Sequence, residues 1–344
     1  MPTKDDRVLL TGISGFLGGH VALELLKHGY SVRGSVRNLA RADKVRTTLV
    51  EHGADPEKLE FVPLDLLSDT GWEAATAGCR YVQHVASPFV LAQPRDRNEL
   101  IRPAVEGTRR AVTAALAAGV ERVVITSSIA AIIYGHPNGA GPFTEADWTN
   151  LDSPRLTAYQ ESKTRAEQEA WRIAEGFGAR QKLTVINPGA ILGPILDEDP
   201  GTSGKLAMRL LDGSMPGTPR MNFSVIDVRD VAAAQVAAMI NPAAGGHRYI
   251  LAEREMSMLE MAWAIRLGLR EPGLKVPGFE LPDWLVRLIG LFDREIRDNT
   301  TEIGRHRPVN GSAGRTLLDR ALIAGPDAAA ALAGSLVAQG LVKA

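Results

Sequence analysis

The chain has 344 residues, 45% hydrophobic and 23% charged, an ordinary globular balance that excludes a disordered or fibrous protein. Its 39 Lys and Arg against 40 Asp and Glu leave a net charge of −1, so nothing electrostatic argues for nucleic acid or an anionic membrane as partner. A single cysteine, Cys79, excludes an intramolecular disulfide and CxxC metal sites, and fits a reducing, cytoplasmic compartment.

Residues 8–26 are largely apolar, but Asp5 and Asp6 precede them and Gly12, Gly15, Gly18 and Gly19 interrupt them. That pattern argues for a buried strand and a following helix over a signal peptide or a membrane span. Short apolar runs predict strands at 8–11, 30–36, 59–64, 81–86, 122–127 and 183–187, with helical patterns at 40–53, 103–118 and 154–178 between them. Continuous rather than alternating apolar runs mark a parallel sheet covered on both faces. Repeated βα units with right-handed crossovers predict an α/β fold: a Rossmann-type doubly wound parallel sheet. Past Pro188 a Gly-, Pro-, Asp- and Ser-rich loop at 193–204 opens a different texture. Residues 1–188 are expected to form the dinucleotide-binding domain and 189–344 mainly a smaller C-terminal substrate lobe, with about 220–240 returning to the sheet. The Ala-rich stretch 328–342 is short for a bilayer and reads as a surface-packed helix.

Thr11-Gly12-Ile13-Ser14-Gly15-Phe16-Leu17-Gly18 places glycines three apart, directly after a strand and opening a helix. Gly12 permits the tight turn, Gly15 lets backbone approach a pyrophosphate, and Gly18 lets helix pack on strand. The free N–H groups of the helix start then meet phosphate charge. In an NAD-selective site the second strand ends in Asp or Glu. Here it reads Ser31-Val-Arg33-Gly-Ser-Val-Arg37-Asn38, followed by Lys44. Arg37 can fork onto a 2′-phosphate and Lys44 can add a second charge, so NADP(H) is expected over NAD; the competing reading is a pair of solvated surface cations. Asp65-Leu66, after the third strand, can accept from the adenine amino group or simply cap a helix.

Tyr159-Gln-Glu-Ser-Lys163 puts a phenol and an ammonium on one helix face. A cation beside a tyrosine stabilises the phenolate and lowers its pKa, and Lys163 can also bind the nicotinamide ribose. Thr126-Ser127-Ser128 ends the fifth strand, at the sheet edge where ligands bind in open α/β folds. A serine there can hold a carbonyl oxygen while tyrosine protonates it.

These motifs together resemble the extended short-chain dehydrogenase/reductase superfamily over about residues 7–240. The supporting segments are TGISGFLG at Thr11–Gly18, Asp65-Leu66, HVASP at His84–Pro88, TSS at Thr126–Ser128, YQESK at Tyr159–Lys163, NPGAILGP at Asn187–Pro194 and VIDVRDVA at Val225–Ala232. Within it the chain is similar to the dihydroflavonol reductase, cinnamoyl-CoA reductase and aldehyde/ketone reductase branch, through the Val-Arg-x-x-Val-Arg pattern ending at Arg37, HVASP, and Pro103-Ala-Val-Glu-Gly-Thr108. Ala104 departs from the Asn usual in sugar-nucleotide epimerases, and Ser128-Ile129-Ala130 from the Thr-Asp-Glu of dehydratases. The tyrosine surround, Thr157-Ala-Tyr-Gln-Glu, departs from NWYCYGK and argues against plant cinnamoyl-CoA specificity.

The resemblance implies Ser128, Tyr159 and Lys163 as catalytic residues and NADP(H) as cofactor. It implies further cofactor contacts from Val85, Ala86, Ser87, Pro188 and Ile191, and substrate contacts from Ser87, Phe89, Ile129 and Phe223. Phe89, Ile129, Met208, Met215 and Phe223 also fit plain core positions. The loop at 196–203 is a candidate lid. The seven histidines show no metal-ligand spacing, so no metal is expected. The expected reaction is reversible NADPH-dependent reduction of a small carbonyl substrate, in a chain with no membrane or nucleic-acid partner and with homodimerisation open. The alternatives are a nucleotide-sugar epimerase or dehydratase, which would hold NAD through turnover; a 3β-hydroxysteroid dehydrogenase, differing in pocket size and NAD preference; and a non-catalytic NADP(H)-sensing protein, which would oxidise nothing.

Overall fold

Residues 6–88, 94–269 and 273–342 are described by the structure, a computed structural model. The apolar runs fold as β1 (Arg7–Thr11), β2 (Ser31–Val36), β3 (Leu59–Pro63), β4 (Tyr81–His84), β5 (Arg122–Thr126) and β6 (Leu183–Pro188). Between them lie α1 (Phe16–Lys27), α2 (Ala42–Glu51), α3 (Trp72–Thr76), α4 (Asn98–Ala117) and α5 (Ala158–Gly176). The chain continues with β7 (Ala190–Leu192), α6 (Gly201–Leu211), β8 (Asn222–Asp227), α7 (Val228–Ile240), β9 (Arg248–Leu251) and β10 (Arg254–Ser257). It ends in α8 (Met258–Leu269), α9 (Asp283–Ile289), α10 (Arg294–Asn299), α11 (Ser312–Leu318) and α12 (Gly325–Ala338).

Seven strands form one parallel sheet in the order β3-β2-β1-β4-β5-β6-β9. The order reverses between β1 and β4, so the crevice of this Rossmann-type sheet opens at their C-terminal ends. Alternation sends successive residues to opposite faces. Leu10 joins Val21, Leu25 and Val231 under α1 and α7, while Leu9 joins Val82, Val112 and Trp171 under α4 and α5. A three-stranded sheet, β10-β8-β7, carries the smaller C-terminal lobe. Its core of Leu210, Met256, Met261, Ile265 and Leu332 lies against α6, α8 and α12. Among the described residues no helix is long and apolar enough to cross a membrane.

Several boundaries differ from the sequence reading, each for a local reason. α4 starts at Asn98, five residues before Pro103, because Asp96 Oδ1 accepts from Asn98 N at 2.9 Å and Leu100 is buried. α5 starts at Ala158 rather than 154, where Thr157 and Gln160 form a reciprocal capping box. Residues 220–240 do not return to the main sheet: β8 pairs in the small sheet, α7 covers the main sheet's face, and β9 supplies the seventh strand. Residues 201–204, read as loop, open α6. The Ala-rich C-terminal helix packs one face, Ala328, Ala329, Leu332, Ala333 and Leu336, into the lobe core, while Asp327 and Ala338 stay exposed.

Candidate active site

The turn after β1 is shaped by backbone crowding. Gly12 has φ +76°, and a Cβ there would stand 2.9 Å from Ala86 Cα, so the turn after β1 and the loop after β4 touch. A Cβ on Gly18 would stand 1.9 Å from Gly12 O, which only glycine avoids. Gly15 is different: φ is −94° and a Cβ would meet only Gly12 O, at 3.4 Å. Protein packing therefore does not require glycine at 15, which is exposed. No side chain caps the start of α1, so the N–H groups of Phe16 and Leu17 face the space beside it. Ser14 lies at its rim, and Leu17 is buried against the sheet. This cradle fits a pyrophosphate.

At the end of β2, Arg37 is exposed and has no ion-pair partner among the described residues. Arg33, four residues earlier, is buried: its guanidinium donates to the carbonyls of Ala74, Ala75 and Ala77 and pairs with Glu60 at 3.1 Å. Lys44 stands 3.8 Å from Glu198, so its charge is partly engaged by the loop before α6. Asn38 caps the turn that follows. Asp65 is exposed, and its Oδ1 accepts from Leu67 N at 2.8 Å, which leaves Oδ2 for a further donor. Leu66 packs against Gly107, where a Cβ would come within 2.6 Å of it.

Ser128 stands two residues past β5 as the N-cap of a short turn, its Oγ accepting from Ala130 N at 3.1 Å. Tyr159 lies in the first turn of α5 and Lys163 one turn later. The Tyr159 phenol and the Ser128 hydroxyl are hydrogen-bonded. Lys163 Nζ donates to Thr126 O at 3.4 Å. Ser128 and Lys163 are buried while Tyr159 keeps a partly exposed edge. Two elements thus deliver a hydroxyl, a phenol and an ammonium to one sheet edge.

The electrostatics depart from the sequence expectation at one point. Burial pushes the Tyr159 phenol above its usual pKa, and the Ser128 bond pulls it partly back. The net direction is upward, and the one contact described for the Lys163 ammonium is with the Thr126 carbonyl. Burial instead lowers Lys163 itself to about 8, against an upward pull from Glu167. His84 Nδ1 lies 2.9 Å from Thr11 Oγ1, and burial with the nearby Lys163 pulls the imidazole down to about 3. Thr11 Oγ1 also accepts from Ala86 N at 3.1 Å, joining the two loops of the crevice.

Val85, Ala86 and Ser87 leave β4 partly exposed toward the crevice. Pro188 ends β6 buried, and Ile191 on β7 is partly buried. Phe16 and Phe223 pack partly buried at the edge of the lobe core. Ile129 joins Ile132, Ile133 and Phe143 in a separate buried cluster and is core. Phe89 lies outside the described residues. Four site residues escaped the sequence reading. Tyr134, hydrogen-bonded to Gln160, has its pKa raised by burial and lies under the Arg307 guanidinium, 4.9 Å from its ring centre. Glu167 and Asn187 pair beneath Ser128 at 2.8 Å. Only Glu167 left a signal, one turn past Lys163 on the same helix face.

The sequence pattern of the NAD dependent epimerase/dehydratase family matches residues 8–252. Cinnamoyl-CoA reductase 1 of Arabidopsis thaliana is 37% identical over 250 residues, covering 72% of this chain and 70% of that one. The crystal structure of a yeast methylglyoxal/isovaleraldehyde reductase complexed with NADPH superposes with a TM-score of 0.80 at 24% identity, covering 98% of this chain and 100% of that one. A nucleoside-diphosphate-sugar epimerase from Pseudomonas aeruginosa superposes with 0.74 at 20% identity, covering 98% of this chain and 99% of that one. Likenesses at these identities speak to fold alone, since both chemistries share it. The chain belongs to the NAD dependent epimerase/dehydratase family, in the dihydroflavonol reductase, cinnamoyl-CoA reductase and aldehyde/ketone reductase branch of the extended short-chain dehydrogenases/reductases.

Proposed function

We propose that this chain reduces an aldehyde or ketone to an alcohol, reversibly, with NADPH. The observation that carries the proposal is the Ser128–Tyr159 hydrogen bond at the mouth of the crevice, with Lys163 one helical turn away. The bound cofactor supplies hydride to the carbonyl carbon. Ser128 orients and polarises the carbonyl oxygen, and Tyr159 donates the proton that completes the alcohol. The raised phenol pKa suits this role, because Tyr159 stays protonated through the neutral range. Lys163 holds its charge beneath the site and is placed for the nicotinamide ribose. The relatives' names support reduction, and the Ser128-Ile129-Ala130 sequence supplies neither the acid nor the base of a dehydratase.

Arg37 supports NADPH over NADH. It is a forked cation with no ion-pair partner among the described residues, where an NAD site places a carboxylate, and Asn38 beside it is neutral. The test is oxidation of NADPH and of NADH against aromatic, aliphatic and ketoester carbonyls. Turnover with NADPH is expected for the wild type and lost in Tyr159→Phe, which still binds NADPH. Full activity in Tyr159→Phe would remove the mechanism.

A further inference from the structure

Resting on the reading of Ser128 and Tyr159 above, we propose that Glu167 is a positioning residue that holds Ser128 in place through Ser127 and Asn187. Glu167 is buried on α5, one turn beyond Lys163. Its Oε2 accepts from Ser127 Oγ at 2.6 Å and from Asn187 Nδ2 at 2.8 Å. The same Nδ2 donates to the Ser128 carbonyl at 3.1 Å. One carboxylate oxygen therefore fixes the residue before Ser128 and, through the amide, the backbone of Ser128 itself.

Arg248 engages both oxygens, reaching Oε2 through Nη2 at 3.3 Å. Glu167 Oε1 accepts from Arg248 Nε at 2.5 Å and from Trp171 Nε1 at 3.3 Å. Arg248, on β9, also donates to the carbonyls of Glu145 and Asp147 at 2.8 and 2.7 Å, and its guanidinium lies 3.9 Å from the Trp148 ring centre. Next in that loop, Thr149 donates through its N to Ala131 O at 2.9 Å and through its hydroxyl to Ala130 O at 2.8 Å. These are the residues of the turn that Ser128 caps. The network thus grips that turn from both sides, with Glu167 at the centre. A buried ion pair contributes little net stability over an apolar pair of the same volume, so its place beneath this turn points to orientation.

The experiment compares Glu167→Gln in two backgrounds. The amide offers one acceptor oxygen and turns a donor toward Ser127, Asn187 and Arg248, all of which donate. In the wild-type background, kcat per NADPH-binding site is expected to fall about 10- to 100-fold, with NADPH affinity within about twofold and a cooperative thermal melt retained. In the Ser128→Ala background the same change is expected to cost less than about threefold, because the residue it positions is gone. Unchanged kcat, or an equal loss in both backgrounds, overturns the proposal. Should Glu167→Gln fail to melt cooperatively, Ser127→Ala removes one donor and leaves the Arg248 pair intact. It is expected to lower kcat about 3- to 10-fold, and wild-type kcat there also overturns the proposal. Failure of the underlying reading shows separately, as full turnover in Ser128→Ala or Tyr159→Phe.

Discussion

Lys163 carries its charge where water has been stripped from it, and its pKa falls to about 8 in consequence. Two charged or titratable groups bear on it: Glu167 on its own helix, which raises it, and His84 from β4. His84 is held neutral down to about pH 3 and contributes nothing near neutrality. The sign follows. Lys163 is an ammonium below about 8 and a neutral amine above, while Tyr159, shifted upward, keeps its proton throughout. The pH profile of kcat/KM for carbonyl reduction is therefore expected to be level near neutrality and to fall about tenfold per unit above about pH 8. A limb that begins only above about pH 10, the ordinary phenol value, would assign the loss to Tyr159 instead.

In the proposed reading, cofactor choice turns on Arg37. Charge-assisted contacts to a phosphate contribute about 1.5–3 kcal/mol. Arg37→Ser is expected to weaken NADPH binding about 10- to 100-fold and to change NADH binding less than about threefold. Fluorescence titration of both cofactors reads this directly, and equal losses for the two would make Arg37 a bystander. The two arginines of the Val-Arg-x-x-Val-Arg pattern look equivalent in sequence. Only the fold separates them, because Arg33 is spent on the carbonyls at the end of α3.

At the scale of the element, the glycine turn divides structural from ligand-facing positions. Gly18→Ala drives a methyl into Gly12 O, a backbone atom that cannot step aside. It is expected to cost about 3 kcal/mol or more in denaturant unfolding. Gly15→Ala meets no such obstacle and is expected to change stability by less than about 1 kcal/mol. It should still weaken NADPH binding about tenfold or more, since the methyl enters the space proposed for pyrophosphate. If Gly15→Ala bound NADPH normally, the cradle would not be the phosphate site.

The strand-turn-helix order of this turn was legible because its spacing and its flanking apolar run are local signals. So was the Tyr159–Lys163 face, which needs only helical geometry. The start of α5 was legible too, in Thr157-Ala-Tyr-Gln160, though the proline at 154 read as a helix start and hid it. Glu167 with Asn187 and Arg248 was hidden for a different reason. These residues lie 20 and 81 positions apart in sequence and meet only when β6 and β9 pair. Arg307 reaches Tyr134 from 173 positions away, by the same kind of long closure.

At the scale of the whole molecule, the two expected domains are interleaved. Val231 on α7 and Leu251 on β9 are both fully or almost fully buried in the core that also holds Val21 and Leu25 of α1. An isolated 1–188 segment would leave that apolar face open. It is expected to lack a cooperative melt and to bind a hydrophobic dye strongly. A cooperatively melting 1–188 fragment would show that the first domain is self-sufficient. Residues 220–240, expected to return to the main sheet, do not join it. Residues 222–227 do form a strand, but in the small sheet, while burial against α1 lets 228–240 form a helix.

In the proposed reaction, hydride from NADPH would reach a carbonyl carbon held by Ser128 and Tyr159. This step is tested most directly by running the carbonyl panel with NADPH deuterated at the transferable position of nicotinamide C4, and reading the product by mass spectrometry. An alcohol with one deuterium on its carbinol carbon is expected from the wild type and not from Tyr159→Phe. Product formed without deuterium, or formed equally by Tyr159→Phe, would contradict it.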